Sequence, residues 1–447
     1  MSAKSGFSTT SEQLREIAAD ILKYAKKGGA SACETDVSEG FGQTVTVRKG
    51  EIDTIEYNRD KGVGVTIYLG QQRGHASTSD FSRKALKATV KAALSIARYT
   101  APDPCAGLAD RALMAQHCPD LDLFHPWKID IDASITLAHQ CEEAAFAVNP
   151  LIRNSEGASV SAQQAHFISA NSLGFSGGYA SSRHSVSCAV IAGEGDAMQR
   201  EYWYDSRRSA ADLIPPTEVG RLAGERALAR LGAKKIRTCK VPVIFEAPLA
   251  VGLIGNFVHA ASGGALYRRS SFLLDAIGES IFSPVISISE RPHLNKAFGS
   301  SWFDSDGVAT HDREVVVDGV LQGYFLSTYS ARKLGMQTTG NAGGSHNLIV
   351  KPGADDLAGL IRKMDRGLLV TELLGQGVNY VTGDYSRGAA GFWVEKGKIK
   401  HAVEEITIAG NLRDIFRSIV AVGNDALPRG AKNCGSILIE SMKVAGR

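Results

Sequence analysis

The sequence has little net charge, formally +3, and little proline. Its 447 residues include 50 Lys and Arg against 47 Asp and Glu, and only 13 prolines. Binding to nucleic acid through a broad basic face depends on releasing many phosphate counterions, which so balanced a chain does not favour. With 44% hydrophobic and 22% charged residues, the composition is that of a folded protein and excludes a mainly disordered chain. The length predicts two or three domains.

Paired cysteines and long apolar runs are also missing. The seven cysteines are scattered without a C-x-x-C spacing, which favours reduced thiols over a disulfide scaffold. The chain starts with a short polar arm and an amphipathic helix, and it lacks the apolar core and cleavage site of a signal peptide. Residues 247–267 carry no charge, but Pro248, His259 and four glycines would be costly in lipid. We therefore expect a soluble, cytoplasmic protein.

Glycine is the one residue type in excess. The 47 glycines make up about 10% of the chain, against a usual ~7%. Twenty of them lie in residues 1–239 and 27 in residues 240–447. This bias predicts that the C-terminal half is richer in hairpins, bulges and loops that need a positive φ.

Hydrophobic periodicity predicts an α+β protein, with helix-covered antiparallel sheets followed by a glycine-rich, β-rich C-terminal domain. Helical spacing occurs over 11–28, 81–98, 131–147 and from Pro216 to Leu231. Ser79 or Asp80 is the expected N-cap of the second helix. Residues 34–77 alternate in polarity and predict four short strands, separated by KG, RDKG and GQQRG turns.

Composition also suggests where the chain divides. The stretch YTAPDPCAGLAD (99–110) is rich in turn residues, and the basic segment GAKKIRTCK precedes the short apolar strand VPVIF. We expect an N-terminal α+β subdomain at 1–110, a second one at 111–235, and a β-rich C-terminal domain at 236–447.

Common catalytic motifs are absent or fit poorly. GFSGG (174–178) matches G-x-S-x-G, but strand patterns on both sides favour a hairpin turn over a serine nucleophile elbow. The sequence has no P-loop, no H-E-x-x-H, no H-x-H and no cysteine pair at metal-ligand spacing. Asp304 and Asp306 in WFDSDG resemble the start of a calcium loop, yet the later ligands are missing and a turn is expected.

Two C-terminal stretches favour close approach of another backbone. TTGNAGGSHNLIV (338–350) and VTGDYSRGAAGFWVEKGKI (381–399) place glycines beside polar residues at strand ends. Such strands could pair with an extended peptide. The candidate contact residues are His346, Asn347, Asp384 and Arg387; two ordinary hairpins are the alternative.

Several long strings resemble the TldD/PmbA family, also called modulators of DNA gyrase, and within it the PmbA (TldE) branch. In the N-terminal half the strings are RKGEIDTIEYNRDKGVGVTIYLGQQRGHASTSDFS and ARYTAPDPCAGLAD. In the C-terminal half they are TTGNAGGSHNLIVKPG, TELLGQGVNYVTGDYSRGAAGFWVEKGKI and GSILIESMKVAG. The resemblance covers nearly the whole chain.

The resemblance implies a cytoplasmic, two-subunit zinc metallopeptidase that acts on unfolded or flexible peptides. Family activities include degradation of an antitoxin and removal of the leader from a peptide microcin. The TldD-like subunit carries H-E-x-x-x-H on a helix, with a cysteine as a further zinc ligand, and the PmbA-like subunit pairs with it. Zinc is therefore expected in a TldD-like partner, and no cofactor in this chain.

The matching helix of this chain, FEAPLAVGLIGNFVHAASGG (245–264), departs from that motif. Aligned on GLIGNF, Glu246 and Val251 stand at the histidine positions. When the glutamate of the motif is aligned on Glu246 instead, Phe245 and Ala250 stand at the histidine positions. Phenylalanine, alanine and valine cannot coordinate zinc, so neither alignment leaves a histidine pair to activate water.

We therefore expect a non-catalytic subunit that docks a TldD-like chain, shapes an enclosed cavity and helps to hold peptide. Two other functions stay open. One is an active metallopeptidase whose site is assembled from the dispersed His311, His346, His401 or Cys434. The other is a regulator of DNA gyrase or of another protein. The sequence also leaves open whether isolated chains form homodimers.

Overall fold

The computed structural model describes residues 6–117 and 119–446. Cys118 and Met1–Ser5 of the predicted polar arm lie outside this range. The helices of the N-terminal half are α1 (Ser11–Lys27), α2 (Arg83–Tyr99), α3 (Ile131–Phe146) and α4 (Pro216–Ala229). Its strands are β1 (Ala32–Arg48), β2 (Glu51–Leu69), β3 (Gln72–Thr78), β4 (Ile152–Asn171), β5 (Ser176–Gly177), β6 (Ala180–Ala192) and β7 (Gln199–Arg207).

All seven strands form one antiparallel sheet in the order β3-β2-β1-β4-β6-β7, with β5 beside β4. Residues of α1 and α2 form one apolar cluster with Val37, and residues of α3 and α4 form another with Val47. Both valines lie on β1 an even number of residues apart, so they point to the same face of the sheet. Four helices therefore cover one face, which leaves the other face to contact the rest of the chain.

This sheet joins the two regions that the sequence predicts as separate subdomains. Strand β1 of the first region pairs with β4 of the second from Glu34 opposite Asn171 to Val47 opposite Ala158. The division at residue 110 stays a prediction, but any such boundary crosses a continuous hydrogen-bonded sheet.

Two local predictions in this half are wrong. The RDKG stretch is not a turn: it lies inside the 19-residue strand β2, where Arg59 is opposite Phe41 and Gly62 is opposite Ser38. Cross-strand pairing with the 17-residue strand β1 outweighs the local turn preference of these residues. The N-cap of α2 is Ser82, whose hydroxyl accepts from the Ala85 amide. The GFSGG stretch runs into the short strand β5, in agreement with a hairpin.

The C-terminal half is richer in strands. Its helices are α5 (Ala247–Ala260), α6 (Gly263–Tyr267), α7 (Thr328–Leu334), α8 (Leu357–Met364) and α9 (Leu412–Arg417). Its strands are β8 (Cys239–Phe245), β9 (Ile288–Glu290), β10 (Arg313–Val317), β11 (Val320–Leu321), β12 (Leu348–Val350), β13 (Gly367–Leu374), β14 (Asp384–Glu395), β15 (Lys398–Asn411), β16 (Ile419–Val422), β17 (Lys432–Asn433) and β18 (Ile437–Ala445).

These strands build two sheets. The larger has the order β15-β14-β13-β8-β18-β16, and a further pairing of β15 with β18 closes five of its strands into a ring. The smaller has the order β11-β10-β9-β12-β17. Helix α5 contributes Phe257 and Ile254 to the main apolar core between them. The two sheets and the helices confirm the α+β class.

The glycines of this half serve close packing as much as turns. Among the described residues, ten glycines have a positive φ on each side of residue 240, but with the other residue types included there are 12 such positions before residue 240 and 17 after it, so the C-terminal half is richer in them, as predicted. Gly391 on β14 shows their other use: a Cβ there would lie 1.9 Å from the carbonyl oxygen of Leu369 on β13. No helix of the described residues combines the length and the apolar character needed to cross a membrane.

Candidate functional site

Helix α5 corresponds to the helix that carries the zinc motif in the family that this chain resembles, and it lines a groove. Ala247 and Val251 are four residues apart, on the same side of the helix. Both line a groove of about 320 Å³. Arg429 and Lys432 also line the groove, and the Arg429 guanidinium lies 4.0 Å from the centre of the Trp203 ring. Arg429 has an acidic partner, Asp205, at 4.0 Å, whereas Lys432 adds a positive charge that disfavours a divalent metal ion.

Glu246 is the one potential ligand among the four degenerate motif positions, and it is already paired. Its two carboxylate oxygens accept from both terminal nitrogens of Arg226 at 2.8 and 3.1 Å. The pair is largely buried and joins α4 to the start of α5. Phe245 and Ala250 are completely buried in the core. Arg226 thus binds both carboxylate oxygens of Glu246, which a metal ion would need as ligands.

Cys434 does not supply a ligand either. It is buried, its Sγ donates to the Gly435 carbonyl at 3.2 Å, and burial raises the pKa of its thiol to about 12. Such a pKa opposes formation of the thiolate that metal binding needs, and no other His, Cys, Asp or Glu side chain of the described residues is grouped with Cys434 to hold a metal ion. Of the side chains that line the α5 groove, none is His, Cys, Asp or Glu. The residues around α5 do not fit a zinc ion.

The dispersed histidines do not form a substitute site. His311 is exposed in the segment before β10, whereas His401 lies on β15 opposite Trp393. The ring nitrogen Nδ1 of His401 contacts its neighbouring carbonyl, that of Ala402, at 3.0 Å. Across residues 6–117 and 119–446, no group of three or more His, Cys, Asp and Glu side chains is arranged to hold one metal ion.

The first pair of predicted peptide contacts lies just before β12. Asn347 is buried: its Oδ1 accepts from the Gly299 amide at 2.8 Å, and its Nδ2 donates to the Arg291 carbonyl at 2.9 Å. His346 is partly exposed, and its Nε2 contacts the Gly340 carbonyl at 2.9 Å. Asn347 therefore holds the glycine-rich loop in place, while His346 is able to reach a ligand.

The second pair lies at the start of β14, in the other sheet. Asp384 is exposed, and hydrogen bonds from Thr382 and Asn411 lower its pKa below the ordinary value. The Nε of Arg387 is buried and has no hydrogen-bond partner within the described part of the chain. His346 and Asn347 are neighbours in the sequence, and Asp384 and Arg387 are three residues apart on β14. The two pairs belong to different sheets.

The strand edges that motivated these four residues are already occupied. Strand β12 pairs with β9 on one side and with β17 on the other. Strand β14 pairs with β13 and β15. Residues 384–387 also meet the preceding loop, where the Ser386 amide donates to the Gly377 carbonyl at 2.7 Å. Direct pairing of a peptide with these two strands would need an existing neighbour to leave, and peptide contact by the four residues stays a prediction.

The glycine-rich loop instead forms one wall of a cleft, which we call the glycine-loop cleft. Its volume is about 280 Å³, and residues 342–346 face the helix-free side of the N-terminal sheet across it. Asp36, Ser169 and Tyr179 line the sheet side. The glycine-rich loop is thus presented beside polar side chains, an arrangement suited to an extended, polar chain.

Buried carboxyl groups adjoin the cleft, and the sequence did not identify them as candidate site residues. Asp304 lines it, and burial together with nearby Asp306 raises the pKa of Asp304 to about 7. Burial likewise raises the pKa of Glu34 to about 7, although the Tyr68 hydroxyl donates to its carboxylate. Asp304 was predicted only as a turn residue, which it also is: its Oδ1 accepts from the amides at 306 and 308. The alternation along β1, which puts Glu34 and Asp36 on the face opposite Val37, was the available signal.

Comparison with protein families matches three consecutive segments of the chain. Residues 33–97 match PmbA/TldA metallopeptidase domain 1, residues 124–231 match the central domain, and residues 238–446 match the C-terminal domain. Together the three segments span most of the chain.

Individual relatives agree with the family match. A "Metalloprotease PmbA homolog" from Haemophilus influenzae is 48% identical over 436 residues, which cover 97% of this chain and 96% of the relative. A crystal structure from Bacteroides thetaiotaomicron, of a protein provisionally named a modulator of DNA gyrase, superimposes with a TM-score of 0.93 at 31% identity and covers 98% of this chain and 100% of that one. A "Metalloprotease TldD homolog" from Haemophilus influenzae is 27% identical over 230 residues, 48% of this chain and 47% of the relative.

Proposed function

This chain belongs to the PmbA/TldD metallopeptidase family, and on that basis we propose that it is the non-catalytic subunit of a two-chain zinc peptidase for unfolded or flexible peptides. Its partner is a TldD-like chain that carries the zinc motif. The subunit docks that partner, completes the cavity around the substrate and helps to hold the peptide.

The observation that carries the non-catalytic role is the chemistry of the α5 groove. A zinc peptidase needs two or three protein ligands and an open position for water. The corresponding face of α5 offers Ala247 and Val251, and Arg429 and Lys432 also line the groove. The remaining carboxylate, Glu246, is bound by Arg226. No His, Cys, Asp or Glu side chain lines the groove, which supports a role in which hydrolysis uses groups of another chain.

The comparisons support a TldD-like partner. Haemophilus influenzae has both a PmbA homolog, 48% identical to this chain, and a TldD homolog, 27% identical over about half of it. Two related chains in one organism, of which one resembles ours closely and the other distantly, are expected if the two carry different roles in one assembly.

The glycine-loop cleft supports the peptide-holding role. It is open, polar and lined by backbone of residues 342–346, with His346 at its rim. In this proposal His346 contacts the peptide directly, and Asn347 keeps the loop in position through its bonds to Gly299 and Arg291. Asp384 and Arg387 are proposed as contacts farther along the same substrate.

The decisive experiment measures cleavage of a flexible, fluorogenic peptide by this chain alone, by the TldD-like chain alone and by both together. Zinc content per chain is measured on the same samples by elemental mass spectrometry. We expect no zinc-dependent cleavage and less than one-tenth of an equivalent of zinc for this chain alone, and cleavage when both are present. Cleavage by this chain alone, together with one tightly held zinc ion, contradicts the proposal.

A second measurement addresses peptide holding. In the two-chain system, His346→Ala should raise KM for the peptide and leave kcat unchanged, because a contact made equally to bound substrate and transition state affects binding only. His311→Ala, an exposed histidine outside the cleft, is the matched control. Equal kinetics for both variants argues against peptide contact by His346.

A further inference from the structure

Arg387 places a positive charge on the core side of the larger C-terminal sheet. It lies on β14 between Tyr385 and Ala389, which are 2% and 1% exposed, and the pairing of β14 with β15 is regular from residue 384 to residue 389. Side chains two residues apart on a regular strand point to the same face of the sheet. The Arg387 side chain therefore points towards the apolar core that contains Tyr385 and Ala389.

This charge has no counter-ion within the part of the chain that the structure describes. No carboxylate there lies within 4.0 Å of the Arg387 nitrogens. The residue opposite it on β15 is Ile408, which is completely buried. Asp384 is three residues away and thus on the other face of the strand, where it is bonded to Thr382 and Asn411. A half-buried cation beside an apolar core is costly without an anion, so we expect one from another molecule.

Two tyrosines, both neutral at pH 7, lie near the guanidinium. Burial raises the pKa of Tyr385 to about 12, and the charge of Arg387 opposes this rise. Burial also raises the pKa of Tyr380, again opposed by Arg387. Protonated phenols can accept a hydrogen bond from arginine, but they do not neutralise its charge.

Tyr380 also connects this region to the last turns of helix α5. Its hydroxyl donates to Oδ1 of Asn256 at 2.9 Å, and its ring centre lies 4.0 Å from that of His259. Arg387, Tyr380 and Asn256 are partly exposed, and His259 is exposed, so the region is open to solvent. Guanidinium, amide and imidazole groups all donate hydrogen bonds to carboxylates.

We propose that Arg387 binds a carboxylate of the substrate peptide, either its C-terminal carboxylate or an acidic side chain, with Asn256 and His259 as further donors. Because Nε of Arg387 is buried, a ligand reaches its two terminal nitrogens, which can bind both carboxylate oxygens. The restricted access suits one carboxylate of a flexible peptide better than the flat surface of a folded partner. The inference rests on the proposed peptidase role and adds the class of substrate.

Steady-state kinetics of the two-chain system test this preference with internally quenched peptides whose labels are on side chains. One sequence without acidic residues is made with a free or an amidated C-terminus, and the amidated form is also made with one internal Asn replaced by Asp. We expect a KM lower on the order of tenfold for the free acid or for the Asp peptide, because a hydrogen-bonded charge pair is lost in its neutral analogue. The pair of peptides that differs identifies the source of the carboxylate.

Arg387→Gln should raise KM for the preferred peptide on the order of tenfold, and leave kcat and the KM of the neutral analogue unchanged. Arg387→Lys keeps the charge and should keep part of the preference. The matched control is Arg362→Gln, an exposed arginine on α8, which should change neither value.

Three outcomes overturn the inference. Equal KM for charged and neutral peptides, with cleavage intact, refutes carboxylate recognition and leaves the peptidase role standing. An equal rise in KM for all peptides in Arg387→Gln, or two chains that no longer sediment together, assigns Arg387 to the fold or to subunit assembly. Absence of cleavage of every peptide by the two unmodified chains refutes the proposed function and this inference with it.

Discussion

Replacing Arg226 with methionine removes the partner that holds Glu246 at the degenerate metal position. Glu246 is 9% exposed, so its carboxylate has little access to water. Both of its oxygens are bonded to Arg226, and the Glu201 carboxylate lies 3.5 Å from the Arg226 Nε. The variant therefore leaves the Glu246 carboxylate without a cation, whereas Glu201 keeps its ion pair with Arg230 at 3.1 Å. Methionine keeps most of the arginine's apolar contact area.

The expected loss of unfolding free energy is about 3–5 kcal/mol at pH 7.5, the usual cost of removing one partner from a buried ion pair. Without Arg226, the Glu246 carboxylate is left buried and poorly solvated. The double variant Arg226→Met, Glu246→Leu removes both charges and should recover most of the stability.

Urea unfolding followed by tryptophan fluorescence measures these differences, with Arg221→Met as the control. Arg221 lies on the same helix α4, and its ion pairs with Glu218 and Glu225 are exposed. Such pairs contribute about 1 kcal/mol or less. If Arg226→Met costs no more than Arg221→Met, the buried pair does not hold α4 to α5 and the reasoning about Glu246 fails.

Three further predictions follow from single contacts. Burial alone would raise the pKa of Glu39, but hydrogen bonds from Ser8 and Thr9 hold it at about 2 against an ordinary 4.5. A lowered pKa stabilises the fold above pH ~4.5 and loses this effect as the pH falls towards 2; Glu39→Gln should thus cost roughly 2–3 kcal/mol at pH 7 and nothing near pH 2, measured by urea unfolding across pH. Iodoacetamide at pH 8 should modify half-buried Cys105 much faster than Cys434, whose pKa is about 12, and mass spectrometry showing equal rates would contradict this. Gly391→Ala should cost more than about 3 kcal/mol, whereas Gly252→Ala, which meets no atom within 4 Å, should gain up to about 1 kcal/mol in thermal unfolding.

The regular elements were largely predictable because their patterns are local. Helices α1 and α4 follow the apolar spacing of their own residues, and Pro216 and Gly28 mark a start and an end. The RDKG stretch was mispredicted because the pairing of β2 with β1 lies outside any local window, and that pairing overrides the turn preference.

The candidate site was predictable only in part. The absence of a histidine pair on α5 is visible from residue types alone. Arg226 binds the Glu246 carboxylate, and Arg429 and Lys432 line the groove of α5. These contacts join segments that are up to about 180 residues apart in the chain. Similarly, glycines beside polar residues suggested free strand edges, yet β12 and β14 each have two neighbours.

The sequence by itself determined the class of fold, the helix positions and the loss of zinc ligands, because these depend on residue type and short-range spacing. Only the tertiary structure decided which backbone edges are free and which charges are neutralised. Strands β12 and β14, whose residues suggested free edges, each have a neighbour on both sides, since strand pairing is set by contacts between distant segments. The pKa values of Glu34 and Asp304 likewise depend on burial, a property that exists only once the sheet and the C-terminal domain have packed together.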